Sequence, residues 1–529
     1  MRIKNYLSIL AISIVIILPA CKQKESKDLG KEEVENYYSE KYRPQFHFSP
    51  EANWMNDPNG MVYYEGEYHL FYQYYPDSTV WGPMHWGHAI STDLVHWEHL
   101  PIALYPDSLG YIFSGSAVVD WNNASGFGTD ENPPLIAIYT YHNPDIAKAG
   151  GTDVESQAIA YSLDKGRSWI KYDENPVIPN DGNRDFRDPN VIWNEDIQKW
   201  NLLLSAHDHV QIYSSDNLKE WQYESDFGID AGGHGGVWEC PDLFPLQVEG
   251  TDNTKWVLIV NINPGGPNGG SATQYFVGDF DGHKFIADSK KTSWIDYGRD
   301  NYAGVTWSDI PKEDGRRIFL GWMSNWDYAN VVPTEKWRSA MTIPRKLNLQ
   351  KANDGFVLAS FPVDELKNIR TDEFEIPAQD ISERVEINTR SVQLNRSEMD
   401  FTFQLNSNSL SGATEEFGLA LSNNKGEIFE IKYSPETQTF YIDRTKAGLN
   451  SFSDKFASKS IANYKAGDNM EIRVFVDEAS IEVFVDGGKL VMTEIVFPSE
   501  PYSTLEMFST NGAIKLSSGK LWSLNSVWE

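Results

Sequence analysis

The chain has 529 residues, too many for one hydrophobic core, so two domains are expected. A hydrophobic fraction of 40% supports a sizeable interior, and an aromatic fraction of 13% suits sheets and sugar faces alike. The formal net charge of −31 repels phosphate backbones and anionic headgroups, which argues against nucleic acid as a partner.

The N-terminus reads as a targeting segment. Arg2 and Lys4 open it, Leu7 to Leu18 is an apolar run too short to span a bilayer, and Leu18-Pro19-Ala20-Cys21 follows. This arrangement resembles a bacterial lipoprotein box. The resemblance implies a signal peptide over 1–20, cleavage before Cys21 and acylation of that residue. A polar tether over 21–41 would then hold an exported, lipid-anchored protein at the outer membrane, cell surface or periplasmic face. Cys240 is the other cysteine, so a lipidated Cys21 leaves no intramolecular disulfide and stability must come from packing.

From 42 to 350, short aromatic and β-branched runs alternate with Gly, Pro, Asn and Asp and show hardly any helical period, which predicts an all-β domain. A degenerate echo recurs within it: Ser91-Thr92-Asp93-Leu94 reaching Trp97, Ser162-Leu163-Asp164 reaching Trp169, and Ser214-Ser215-Asp216-Asn217-Leu218 reaching Trp221. Asp279-Phe280-Asp281-Gly282 before Phe285 is a weaker fourth. Echoes roughly 50 to 70 residues apart, each a turn between strand-like runs, fit about five four-stranded blades around an axis. Residues 351–370 read as a connector, with a short strand and then a short helix in Gly355 to Arg370. Over 371–529 the alternation is strict: Met399, Phe401, Phe403 and Leu405; Ile472, Val474 and Val476; Ile481, Val483 and Val485, closed by Asp486-Gly487. Half-buried antiparallel strands give this pattern, so a β-sandwich is expected there.

Trp54-Met55-Asn56-Asp57-Pro58-Asn59-Gly60 contains a turn signature, since Asp caps, Pro fixes φ and Gly accepts positive φ. Its company gives it further meaning: Phe71-Tyr72-Gln73, the run from Trp81 to Ala89, Phe113-Ser114-Gly115-Ser116, Arg187-Asp188-Pro189, Trp238-Glu239-Cys240-Pro241-Asp242, the run from Trp322 to Asn330, and Trp337-Arg338. In this order the chain, from about Phe46 onward, resembles glycoside hydrolase family 32, the fructan hydrolases and invertases. The resemblance implies a five-bladed β-propeller followed by a C-terminal β-sandwich. It also implies a retaining mechanism with Asp57 as nucleophile, Glu239 as acid/base and Asp188 gripping sugar hydroxyls. Asn56, Gln73, Trp81, Phe113, Ser114, Arg187 and Trp326 match positions lining the fructose subsite, with Trp322 as an alternative to Trp326. The implied activity is exo-hydrolysis of levan or inulin, with sucrose a poorer substrate. An endo-levanase is the alternative, a fructosyltransferase is less favoured because it must exclude water, and a non-catalytic fructan-binding lipoprotein is the alternative of another class.

Physical chemistry supports this division of labour. Glycoside cleavage needs one carboxyl that stays protonated and another that stays ionised, about 5 to 5.5 Å apart for retention. Glu239 lies beside Trp238 and Cys240, weakly polar neighbours expected to desolvate it, whereas Asn56 and Asn59 supply Asp57 with amide donors. Arg187 beside Asp188 is expected to keep that carboxyl ionised. His85 and His88 have no third metal ligand nearby and read as structural, as do His207 and His209 flanking Asp208 on a strand. Gly232 to Gly236 lacks a following helix and reads as a rim loop rather than a phosphate cradle, and no cofactor is implied.

Overall fold

The computed structural model describes residues 37–180, 182–389, 391–405 and 415–528, so the expected leader, Cys21 and most of the tether lie outside the described residues. Five antiparallel sheets follow one another along the chain. Blade I comprises Asn53–Tyr64, Glu67–Tyr75, His85–Ser91 and Glu98–Leu104, and blade II Tyr111–Val119, Leu135–His142, Glu155–Ser162 and Ile170–Lys171. Blade III comprises Phe186–Asn194, Lys199–Ala206, His209–Ser215 and Gln222–Phe227, and blade IV Val237–Gln247, Thr254–Asn263, Ala272–Phe280 and Phe285–Ala287. Blade V is built from Tyr302–Thr306, Arg317–Met323, Arg345–Ala352 and Gly355–Pro362. The first strands of neighbouring blades touch one another around the ring, which places them innermost. Trp337–Arg338, past the second strand of blade V, pairs in parallel with Asn53 and Trp54 and ties the last blade to the first.

The echoes found in the sequence fall at one place in the architecture, the turn from the third to the outer strand of blades I to IV. In the first three a Ser and an Asx side chain brace the turn: Asp93 Oδ1 accepts from the amides of Val95 and His96, Asp164 Oδ1 from Ser168, and Asn217 Oδ1 from Lys219 and Glu220. Leu94, Lys165 and Leu218 adopt positive φ of 65°, 57° and 63°. The fourth uses Asp281 for the bonds and Gly282, φ 88°, for the same bend, which is why its sequence is the weakest match.

Gly355–Pro362 is a strand and Asp364–Ile369 a 3-10 helix. The strand pairs along its whole length with Arg345–Ala352, so the fifth sheet continues beyond Gln350 rather than passing into a free connector. A seven-stranded and a six-stranded sheet then follow, and their inner faces enclose Met399, Phe401, Phe403, Ile472, Val474, Val476, Ile481, Val483 and Val485. The outer face of the seven-stranded sheet presents Phe475, Phe484 and Val491, which share a core with Ile343, Val363 and Leu366 of the propeller segment. Buried charge crosses this contact too: Arg345 bonds Asp296 on one side and Glu482 and Thr493 on the other, and His47 bridges Asp477 and Glu482.

His207 and Asp208 are not on a strand: they form the tight turn between Lys199–Ala206 and His209–Ser215, with His207 at φ 63°. His88 is buried, stacks on Phe71 and bonds His69, while His85 bonds the carbonyl of Pro83.

Candidate active site

Every innermost strand carries a bulge at the same level, two residues standing opposite one on the partner strand. Asn56-Asp57 oppose Gln73, Phe113-Ser114 oppose Thr140, Asp188-Pro189 oppose Leu204, Cys240-Pro241 oppose Val260, and Ala303-Gly304 oppose Gly321. A bulge interrupts strict alternation and re-aims a side chain. Asp188, Cys240 and Ala303 sit at positive φ of 64°, 43° and 52°, a strained conformation for residues with a Cβ that costs on the order of 1–3 kcal/mol each. Asn56, Asp57, Phe113, Ser114 and Asp188 of the sequence motifs fall in these bulges, and Glu239 directly precedes the fourth.

The bulges of blades I, II and III contribute Asn56, Asp57, Phe113, Ser114 and Asp188 to the lining of a cavity of about 540 Å³. Asp57, Asp188 and Glu239 line it together with Asn56, Gln73, Trp81, Phe113, Ser114, Arg187 and Trp326, so all ten residues singled out from the sequence come together. Trp322 does not: it is fully buried, and its indole donates to the carbonyl of Met55, beneath Trp326. Among the described residues no group of three His, Cys, Asp or Glu side chains is placed to hold a metal ion.

Asp57 Oδ2 accepts from Ser114 Oγ at 2.7 Å and Oδ1 from Asn56 Nδ2 at 3.0 Å, while Trp54 holds Asn56 from below. Asn59 turns away, its amide donating to the Asp57 carbonyl and not to the carboxylate. Asp188 Oδ2 accepts the Cys240 amide at 3.0 Å, and the Cys240 thiol lies 3.6 Å from Asp188 Oδ2 and 3.7 Å from Asp57 Oδ2, bridging the two. Burial, reinforced by the surrounding carboxylates, pushes that thiol far above its ordinary range, so it serves as a donor.

The expected pairing of Arg187 with Asp188 is not the one formed. The Arg187 guanidinium turns instead to Glu239, with Nε and Nη2 at 3.2 and 3.0 Å from Oε1, and to Asp185 at 3.0 Å. Asp188 and Glu239 are both pushed above the ordinary carboxylate range, foremost by burial. Arg187 pulls each down, while Asp57 pushes both up and Glu239 adds to the push on Asp188. Asp188 is pushed up to about 8, so the site holds a proton near neutrality. Trp238 is not the cause: its ring faces the core against Phe276 and its indole bonds Gly233.

The sequence reading missed Tyr302, whose hydroxyl donates to Glu239 Oε2, and Glu155 and His142 on the cavity wall. Tyr302 directly precedes the fifth bulge; aligning the blades by their bulges would have found it. The glycine run 232–236 is pinned at its start, Gly232 donating to the carbonyl of Lys290 and Gly233 to Gln274 Oε1.

The chain matches the model of the glycosyl hydrolases family 32 N-terminal domain over residues 47–360 and that of the family 32 C terminal over residues 365–523. It is 49% identical over 498 residues to a levanase of Bacillus subtilis, covering 93% of this chain and 72% of that protein. It is 40% identical over 524 residues to an extracellular exo-inulinase of Aspergillus niger, covering 93% and 96%. Among solved structures, the exo-inulinase from Aspergillus awamori superposes with a TM-score of 0.85 at 36% identity, covering 93% of this chain and 100% of that one. The β-fructofuranosidase from Schwanniomyces occidentalis, complexed with fructosyl-erythritol, superposes with a TM-score of 0.84 at 34% identity over the same shares.

Proposed function

The chain belongs to glycosyl hydrolase family 32, and from that premise we propose that it is a retaining exo-β-fructosidase, releasing terminal fructofuranosyl residues from levan or inulin and, less well, from sucrose. The observation that carries this reading is the convergence of Asp57, Asp188 and Glu239 from blades I, III and IV on one cavity. The levanase and exo-inulinase names of its relatives support a fructan substrate.

In the proposed reaction Asp57 attacks the anomeric carbon while the proton of Glu239 passes to the glycosidic oxygen, which leaves as an alcohol. A fructosyl ester of Asp57 results. Water then attacks the same carbon, gives its proton to Glu239, and Asp57 departs, so configuration is retained. Sugar hydroxyls donating to Asp188 favour its anion and leave the shared proton on Glu239, where the first step needs it. Ser114 and Asn56 hold the attacking carboxylate, and Gln73, whose buried Nε2 has no protein partner, is free to donate to a bound hydroxyl. Trp326 and Phe113 offer ring faces.

Exo action is supported by the mouth of the cavity, where the Trp81 amide bonds Asn330 Oδ1 and joins the blade I and blade V loops along one side. Incubation of purified protein with levan, inulin and sucrose tests the reading: fructose as sole product supports it, a ladder of oligomers indicates endo action, and binding without products leaves a fructan-binding protein. Export with a lipid anchor at Cys21 is part of the proposal, supported by the leader sequence and by relatives named as extracellular.

A further inference from the structure

Glu155 opens the third strand of blade II and is 3% exposed, yet it lines the cavity. Its carboxylate gathers three donors from two blades: His142 Nδ1 at 3.2 Å, the Phe186 amide at 2.7 Å, and Arg187 Nη1 at 3.4 Å to both oxygens. His142 is its register partner across the sheet and stacks on Phe113, ring centroids 4.3 Å apart. An unbroken chain of polar contacts therefore runs from the wall ring His142, through Glu155 and Arg187, to Oε1 of Glu239. The planar guanidinium has a fixed fork of donors, so whatever fixes Nη1 also fixes Nε and Nη2.

We propose that Glu155 is a positioning residue for the acid/base: it holds the Arg187 fork in the orientation that grips Glu239, and it takes up part of a positive charge that would otherwise fall more fully on the Glu239 carboxylate. The proposal rests on Glu239 acting as the acid. The charged and titratable groups facing Glu239 are Arg187 and Asp188 from blade III, Asp57 from blade I, Tyr302 from blade V and its own neighbour Cys240. Those facing Glu155 are His142 and Arg187, and Asp185 shares the guanidinium. Removing the Glu155 charge deprives Glu239 of a nearby anion and gives it more of Arg187. Both changes favour the ionised form of Glu239 and work against proton donation.

The test is the pH dependence of kcat for the full chain on levan and on an activated aryl fructoside, in wild type, Glu155→Gln and Glu155→Asp, each checked for folding by thermal unfolding. In Glu155→Gln the basic limb on levan should move to lower pH by about half a unit or more, and kcat should fall further on levan than on the aryl fructoside. Glu155→Asp keeps the charge and should keep the limb near its wild-type position. A folded Glu155→Gln whose limb is unmoved, or whose losses are equal on both substrates, overturns the proposal. Should Glu155→Gln not fold, His142→Phe carries the test: it keeps a ring against Phe113 but removes one donor to Glu155, turning that carboxylate more fully to Arg187. Its basic limb should move to higher pH, and an unmoved or lowered limb counts against the proposal. Wild type that releases no fructose would refute the fructosidase reading instead, a separate outcome.

Discussion

The Tyr302 hydroxyl and Arg187 take opposite oxygens of Glu239, the phenol donating to Oε2 and the guanidinium to Oε1. Both donors favour the ionised carboxyl, against the burial and the Asp57 charge that push it up. Tyr302→Phe removes one of them and keeps the ring. The basic limb of kcat on sucrose should move to higher pH, the direction opposite to that expected of Glu155→Gln, and kcat at the optimum should fall roughly tenfold, the worth of one hydrogen bond to a charged group. Steady-state pH profiles measure both; a limb that moves down would mean that the phenol does not act as a donor to Glu239.

What the sequence made legible follows from distance along the chain. The braced turns are local, each written in about five residues, so Ser91, Ser162, Ser215 and their Asx partners announce the blades. Asp57 and Asp188 lie in short motifs that are themselves the bulges. Tyr302 lies 63 residues beyond the carboxyl it bonds, in a neighbouring blade, and nothing in its own surroundings points to Glu239. Arg187 shows the opposite hazard, since adjacency to Asp188 suggested a pair while the backbone sends the guanidinium to Glu239, Asp185 and Glu155. Glu155 was missed because its role exists only through His142, across the sheet, and Arg187, in the next blade.

A buried histidine makes stability depend on pH. His47 places Nδ1 2.7 Å from Asp477 and Nε2 2.8 Å from Glu482, and both ring nitrogens can donate only in the imidazolium. Burial by itself would lower its pKa, but the bonds to Asp477 and Glu482 outweigh that and push it up from the ordinary 6.5 to about 9. A raised folded-state pKa contributes stability that is complete below about 6.5 and is lost as pH rises through about 9. The contribution is on the order of 3 kcal/mol. Thermal unfolding from about pH 6 to about pH 10 should show wild type losing its advantage over His47→Gln with rising pH. Melting curves that stay parallel across this range would show that the imidazolium is not the stabilising form.

The proposed anchor is tested independently of the site. Cys21→Ala removes the thiol proposed to be acylated and should move the protein from the membrane fraction to the soluble fraction of the expressing cells, with fructose release from levan undiminished. Unchanged partitioning would reject the lipoprotein reading while leaving the enzyme reading intact.

The two carboxyls proposed as nucleophile and acid/base can be separated by their chemistry. Glu239→Gln removes the proton donor, so levan and sucrose, with poor leaving groups, should slow by several orders of magnitude, while an activated fructoside needing little protonation should lose far less in the first step. The fructosyl ester on Asp57 then waits for a nucleophile that needs no base. Azide is such a nucleophile, and it should accelerate turnover of the activated substrate by Glu239→Gln and yield a fructosyl azide of retained configuration. Asp57→Asn removes the attacking oxygen that Ser114 and Asn56 hold in place, and should abolish both reactions without a comparable rescue through the ester. Azide rescue of Asp57→Asn in place of Glu239→Gln, or levan hydrolysis by Glu239→Gln at the wild-type rate, would reverse the assignment of the two residues.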